Sequence, residues 1–341
     1  MQSLGTGARV VNRRSPSAEE SFEATDARPT EAPGPAPATD LGLEALRRRI
    51  VTLATIASDH GACMSVVELS SLLPASAFRT HNSLDRFLQD DAVLKGELTF
   101  ESGKVTLRGK EDLLRLGSRQ SALTEDLVRS TREFTYQLRR SCPWIRLSAI
   151  SGSTSFGGPN QGDDVDLFLV VDRNRVWITM ALALLKARIA RRRGAPAYCI
   201  NRVLDLNRCG DDFGNPNDPL VAREALTLFV LSGQAYYRSL LRGADWMSTY
   251  FPLRYRERTH ALVEDAEGPI ECTGRVHSFL NGLAFSLLAP YLVAVGLVRN
   301  RRLARQGRVG AQFRTVIRRG FCAYESTKYD QLRNTYRSSI Q

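Results

Sequence analysis

Two apolar runs of strand length, Ile145–Ile150 and Leu167–Val171, flank a glycine-rich segment and a short acidic cluster, and this passage constrains the fold more than any other. It reads Ile150-Ser-Gly-Ser-Thr-Ser-Phe-Gly-Gly-Pro-Asn-Gln-Gly-Asp-Asp-Val-Asp166 before running into the second apolar stretch. Alternate residues of a strand point to the same side, so Asp164 and Asp166 project together while Val165 faces the other way. Two neighbouring carboxylates repel unless a cation neutralises them. Mg²⁺ takes oxygen ligands and is commonly held by one or two carboxylates with substrate phosphates. Gly152 permits close backbone approach to a phosphate, and the Ser153 hydroxyl and neighbouring N–H groups are donors.

The flanking sequence supports an α/β reading with a small mixed sheet. Val176–Leu185 is apolar with a basic end, as suits a helix whose cations complement its C-terminal dipole. Ala197–Asp205 reads as a further strand. Asp205 is its only acid and stands at the strand end, either as a third catalytic group or as a turn residue, with Asn201 assigned to the same face. Asn217-Asp-Pro-Leu220 starts a helix, with Asp218 as N-cap and Pro219 at the first helical position. Glu224 on that helix is a substrate contact or a surface carboxylate.

An apolar strand, Gly152-Ser153, a spacer and Asp164-Val-Asp166 at twelve residues from the glycine together resemble the signature of the polymerase-beta-like nucleotidyltransferases. Gly157 also falls where many members carry a glycine. Phe156 and Gly158 depart from the basic and polar residues common there, and Asp163 precedes the pair. Residues 140–255, through Asn217–Glu224 and Ala244–Pro252, are similar to archaeal and bacterial predicted nucleotidyltransferases. The resemblance implies transfer of a nucleotidyl group from an NTP to an acceptor hydroxyl with Mg²⁺ or Mn²⁺. Asp164 and Asp166 would be the metal ligands, Gly152 and Ser153 the phosphate contacts, and Asp205 the third carboxylate. The acceptor is open between RNA, protein and a small molecule. A nucleotide- or DNA-binding regulatory, antitoxin-like protein of the same fold without turnover is the alternative.

Residues 1–40 carry five prolines and almost no large apolar groups, and such a segment cannot offset its chain entropy. We expect a disordered tail there. Leu43, Leu46, Ile50, Leu53 and Ile56 recur at helical spacing. Helices over Val66–Leu73 and Ser76–Leu88 follow, then a hairpin of Glu97–Phe100 and Lys104–Leu107. That order resembles a winged helix-turn-helix over 41–110, whose third helix would present Arg79, His81, Asn82 and Arg86 to DNA. Nine Lys and Arg against eight acids in that span argue against a duplex binder. A linking helix is expected over 111–140, the catalytic domain over 141–255, and a helical, basic region over 256–341.

The net charge of +11 favours polyanionic partners. It concentrates at Lys186–Arg193 and from Arg299 onward, where 11 Lys and Arg face only Glu325 and Asp330. The six cysteines are scattered with no CxxC, which disfavours a Cys/His metal site, and a reducing cytoplasm is the default compartment. Phe279–Val298 is twenty residues without charge, enough to cross a bilayer. Pro290 and the polar Asn281 and Ser286 interrupt it. A core helix packed on the catalytic domain is the preferred reading, with membrane association through 279–298 as the alternative.

Overall fold

Ile50, Leu53 and Ile56 lie on the fully buried face of α1 (Asp40–Asp59), and Gly61, at a φ of +75°, reverses the chain into β1 (Met64–Ser65). In the computed structural model residues 40–74, 77–78, 81–214, 217–260, 275–307 and 312–340 are described. The expected tail therefore lies outside the described residues, except for Asp40, and so does Arg79. Ser65 caps α2 (Val66–Ser71) by accepting the Glu68 N–H at 3.1 Å. Then come α3 (His81–Asp90), α4 (Ala92–Glu97), β2 (Leu98–Glu101) and β3 (Lys104–Leu107), the last two joined by Ser102-Gly103 with both φ angles positive. The strands form a sheet ordered β1-β3-β2. The two-residue β1 and the helix α4 were not foreseen. Asp90-Asp91 resembles a helix end, but Asp91 is an N-cap that accepts the Val93 and Leu94 N–H groups and binds Arg47.

After α5 (Asp112–Ser141) the chain builds β4 (Ile145–Ser151), α6 (Gly152–Ser155), β5 (Val165–Val171), α7 (Val176–Arg192) and β6 (Tyr198–Asp205). There follow α8 (Leu206–Gly214), α9 (Pro219–Thr227), β7 (Phe229–Ser232), α10 (Gln234–Arg242), α11 (Met247–Tyr250) and α12 (Pro252–His260). The chain ends with α13 (Arg275–Arg305), β8 (Phe313–Arg318), β9 (Phe321–Ser326) and α14 (Lys328–Ile340). Six strands form the main sheet in the order β7-β4-β5-β6-β9-β8. Only β5 and β6 are parallel, and they are joined through α7. The protein is thus mixed α/β with two sheets.

The C-terminal region is not simply helical, as the sequence reading had it. Phe313–Arg318 and Phe321–Ser326 pair around an Arg319-Gly320 turn, and β9 joins β6. Its arginines masked the strand alternation, because they occupy positions at the sheet's edge, where charge is tolerated.

Each face of the main sheet buries an apolar layer, and burial at roughly 25 cal/mol per Å² is the chief drive for the assembly. On one face Leu147, Ala149, Phe168, Val170 and Leu204 join a cluster that also contains Ile50, Leu53 and Leu69. The boundary placed at residue 110 therefore does not separate two cores, and residues 39–341 cluster as one compact unit. Arg49, 8% exposed, ties α1 inward by donating to the carbonyls of Leu72 and Tyr250. On the other face Leu167, Leu169, Val171 and Val203 pack under Leu138 of α5, Trp177 and Met180 of α7, and Leu292 of α13.

Helix α13 docks by one stripe. Asn281 accepts the N–H groups of Trp177 and Ile178 at 2.8 and 3.2 Å, satisfying the first turn of α7, which has no side-chain cap of its own. Phe285 meets the Trp177 ring edge-on at 5.0 Å, and Asn300 makes two hydrogen bonds to the Phe313 backbone. Outside this stripe the helix is exposed and apolar. Val276–Arg305 is long and apolar enough to cross a membrane by length and composition. A core helix was preferred from the sequence, yet only 11% of its most apolar window is buried.

Candidate functional site

The antiparallel pairing of β4 and β5 sets Ser151 opposite Asp166, so the chain leaves β4 at Gly152 directly beside the acid. Gly152 has a φ of +65°, and a Cβ there would collide with Asp166 Oδ2. Both facts require glycine. Ser153 is the second residue of α6, within the first turn, where a backbone N–H has no partner within the helix.

Asp164 is exposed, just before β5, and Asp166 is partly buried within it. The structure brings the two together, with a third residue that sequence reasoning passed over. Ligand atoms of Asp164, Asp166 and Cys199 all lie within 4.8 Å of one another. Cys199 stands directly across from Asp166 in the parallel β5–β6 pair. Scattered cysteines had been set aside as metal ligands, and only strand register could have revealed this one.

The Asp166 carboxyl is pushed up to about 7, first by burial and then by the negative charge of Asp164. Glu224 adds to the rise, while a hydrogen bond from Cys199 and the Arg299 cation oppose it. Burial holds the Cys199 thiol well above its ordinary range, with the two aspartates adding to the effect. The field at Asp166 thus reveals two further neighbours, Glu224 from α9 and Arg299 from the end of α13.

Asp205 is not part of this group. A bulge in β6 sets four residues, Cys199 to Arg202, against three of β5, Asp166 to Phe168. The extra residue inverts the alternation beyond it. Asp205 therefore pairs with Val171 at the opposite end of the sheet, facing the layer that contains Val171 and Leu169. It accepts the N–H groups of Asn174 at 2.8 Å and Asn207 at 2.9 Å, the work of a buried turn residue. Replacing Asp205 with Ala is expected to lower stability by about 1–2 kcal/mol in urea unfolding, the usual cost of a lost backbone cap. Any activity that depends on Asp164 and Asp166 should stay within about twofold, since the change lies roughly five strand residues away.

The departures around the glycine turn also have physical reasons. Phe156 lies 4.5 Å beneath the Arg223 guanidinium and 6.1 Å from the His60 ring. A Cβ on Gly158 would strike Ala62. Asp163 turns away from the pair and accepts the Asn160 N–H at 2.8 Å. The loop from Phe156 to Asn160 is thus shaped to receive the His60–Ala62 corner after α1.

Beside the acids, on the face that carries Phe168, is a cavity of about 310 Å³. Ser151, Asn201, Arg202 and Glu224 line it, with Arg314 and Arg333. Arg314 is held by Glu325 at 2.5 Å and Arg333 by Asp218 at 2.6 Å. Compared with family models, with curated proteins and with solved structures, the chain gives no match.

Proposed function

We propose that this chain is a metal-dependent nucleotidyltransferase of the polymerase-beta-like type. The observation that carries the reading is the convergence of Asp164 and Asp166 on one point beside a glycine that must lack a side chain. Two carboxylates held this close, one of them desolvated, favour binding a cation. Cys199 keeps its proton at neutral pH, and a thiol is a poor ligand. The carboxylates therefore dominate, and a hard ion, Mg²⁺ or Mn²⁺, fits them. When bound, that ion would stabilise the attacking and leaving oxygens of an in-line displacement.

The protein's own groups divide the remaining work. Gly152 and the Ser153 N–H and hydroxyl bind phosphate oxygens, and Arg299 adds positive charge at the same end of the sheet. Glu224 takes the place that the sequence reading assigned to Asp205, as a third carboxylate able to accept the acceptor's proton. The arginine-rimmed cavity beside it holds the nucleoside or the acceptor. Residues 40–107, in the order α1-β1-α2-α3-β2-β3 with α4 inserted, make a winged helix whose corner braces the glycine turn. His81, Asn82 and Arg86 of its third helix are exposed, but the near-neutral charge of this unit favours bracing over DNA binding.

The test is incubation of the purified chain with each labelled NTP, Mg²⁺ or Mn²⁺ and a host lysate, beside the Asp164→Ala/Asp166→Ala variant. Label transferred to RNA, protein or a small molecule only by the intact pair supports the enzyme and identifies its acceptor class. Metal-dependent NTP binding without transfer would favour the regulatory alternative. Neither binding nor transfer would defeat both.

A further inference from the structure

Sixteen large apolar side chains are exposed among the described residues, and ten of them belong to α13. Phe279 is 72% exposed, Leu287 66% and Leu283 50%. Apolar residues fall on every side of this helix. Such a helix is ordinarily buried all round or surrounded by lipid. One stripe, from Asn281 to Asn300, is satisfied against α7 and β8. The rest faces outward, and Leu185 and Ile189 on the neighbouring α7 are exposed as well.

The charge around this surface identifies what covers it. No Asp or Glu occurs from Val276 to Gln306, nor from Val176 to Arg193. The two helices run the same way. Asn281 caps the start of α7, while Asn300 lies by Phe313, at the end of the sheet where Arg299 feels Asp166. The C-terminus of α7 leads into Ala197, whose carbonyl bonds Val165 at that same end. Arg191, Arg192 and Arg193 therefore gather with Arg301, Arg302 and Arg305, all exposed. A broad apolar strip whose two helices carry no acid and end in arginines is complementary to an anionic bilayer surface, hydrocarbon against the strip and headgroups against the arginines.

We propose that α13 docks this protein on an anionic membrane, lying along the surface rather than crossing it. Crossing is excluded by the docked stripe. At 31 residues and about 1.5 Å each the helix is roughly 46 Å long, and it is attached to the sheet domain at both Asn281 and Asn300. A second copy packed with like ends together is disfavoured, because it would bring the same arginines against these helices, which carry no acid of their own. The inference does not depend on the chemistry at the acid pair.

Vesicle co-sedimentation of the full chain tests it, using phosphatidylcholine vesicles with and without phosphatidylglycerol. The expected result is strong association with the anionic vesicles, weak association with neutral ones, and loss of binding as salt rises. Phe279→Ser/Leu283→Ser/Leu287→Ser touches only exposed positions, so its thermal unfolding should match the parent while vesicle binding falls at least about tenfold. Arg301→Gln and Arg302→Gln should each weaken binding by roughly fivefold. Absence of binding to anionic vesicles would overturn the proposal. So would equal binding to neutral vesicles, or a triple variant that binds like the parent. A concentration-dependent dimer abolished by the triple variant, without vesicle binding, would assign the face to a second copy instead.

Discussion

Replacing Asp166 with Asn is expected to abolish the nucleotidyl transfer proposed for the acid pair while making the metal-free protein more stable at neutral pH. The substitution removes a charged ligand, and losing several kcal/mol of transition-state stabilisation corresponds to a drop of about 10³-fold in rate. Stability should move the other way. The folded carboxyl titrates at about 7, whereas an unfolded one titrates near 3.9. Between those values the folded state holds a proton that the unfolded state has released. Stability therefore falls as pH rises from about 4 to about 7, and the penalty is complete above that window. Its size is on the order of 4 kcal/mol, and Asn, neutral at every pH, escapes it. Differential scanning calorimetry at pH 8 without metal should show a Tm for Asp166→Asn about 5–10 °C above the parent, with the two converging near pH 4. Mg²⁺ or Mn²⁺ should raise the parent's Tm and leave the variant's unchanged. A variant less stable than the parent at pH 8 would contradict the account of a desolvated carboxylate awaiting a cation.

That site was half legible in the sequence. Period-two alternation placed Asp166 on β5, with Asp164 one residue before the strand rather than on it, and a glycine next to an apolar run marked where the chain leaves β4 for α6. The start of α9 was equally readable, because Asp218 accepts the Leu220 N–H at 2.9 Å with Pro219 at the first helical position. Asp205 was misplaced because a bulge leaves no mark in composition. One extra residue in β6 inverted the parity on which the assignment rested, and it set Cys199 and Asn201 on the acid side instead. Glu224 and Arg299 were hidden for a different reason. Helical position alone does not say which other element a side chain approaches, and these two arrive from 58 and 133 residues beyond Asp166, by difference of residue number. The β8–β9 hairpin was obscured by its arginines. In α13 the apolar length was plain, but the number of its sides that find a partner is a property of packing.

The second large effect concerns Arg223, which links the N-terminal helix α2 to the glycine turn. It is 2% exposed, lies between the rings of Phe156 and Tyr336 at 4.5 and 5.8 Å, and precedes Glu224 in α9. Burial opposes its charge, but Tyr336, Glu68 and Glu224 outweigh that effect and raise its affinity for the proton. Glu68, on α2, is raised by burial and brought back down by Arg223 and Arg254. Arg223→Met keeps most of the packing volume and removes the cation, leaving Glu68 poorly compensated in a low dielectric. Glu68 keeps Arg254 as a second cation, so the loss is that of a buried charge left partly uncompensated, about 1–3 kcal/mol, and Tm should fall by roughly 3–6 °C. The loss should shrink at lower pH, as Glu68 takes up a proton and ceases to need a counter-charge. Arg223→Lys restores a charge but not the planar stack on Phe156, and should recover only part of the loss. Adding Glu68→Gln to Arg223→Met removes the orphaned charge and should regain about 1–2 kcal/mol, measured as a coupling energy in a double-mutant cycle. Strict additivity in that cycle would show that Arg223 acts through its rings alone. Coupling would show that the charge pair holds the N-terminal unit against the loop carrying Gly152 and Ser153.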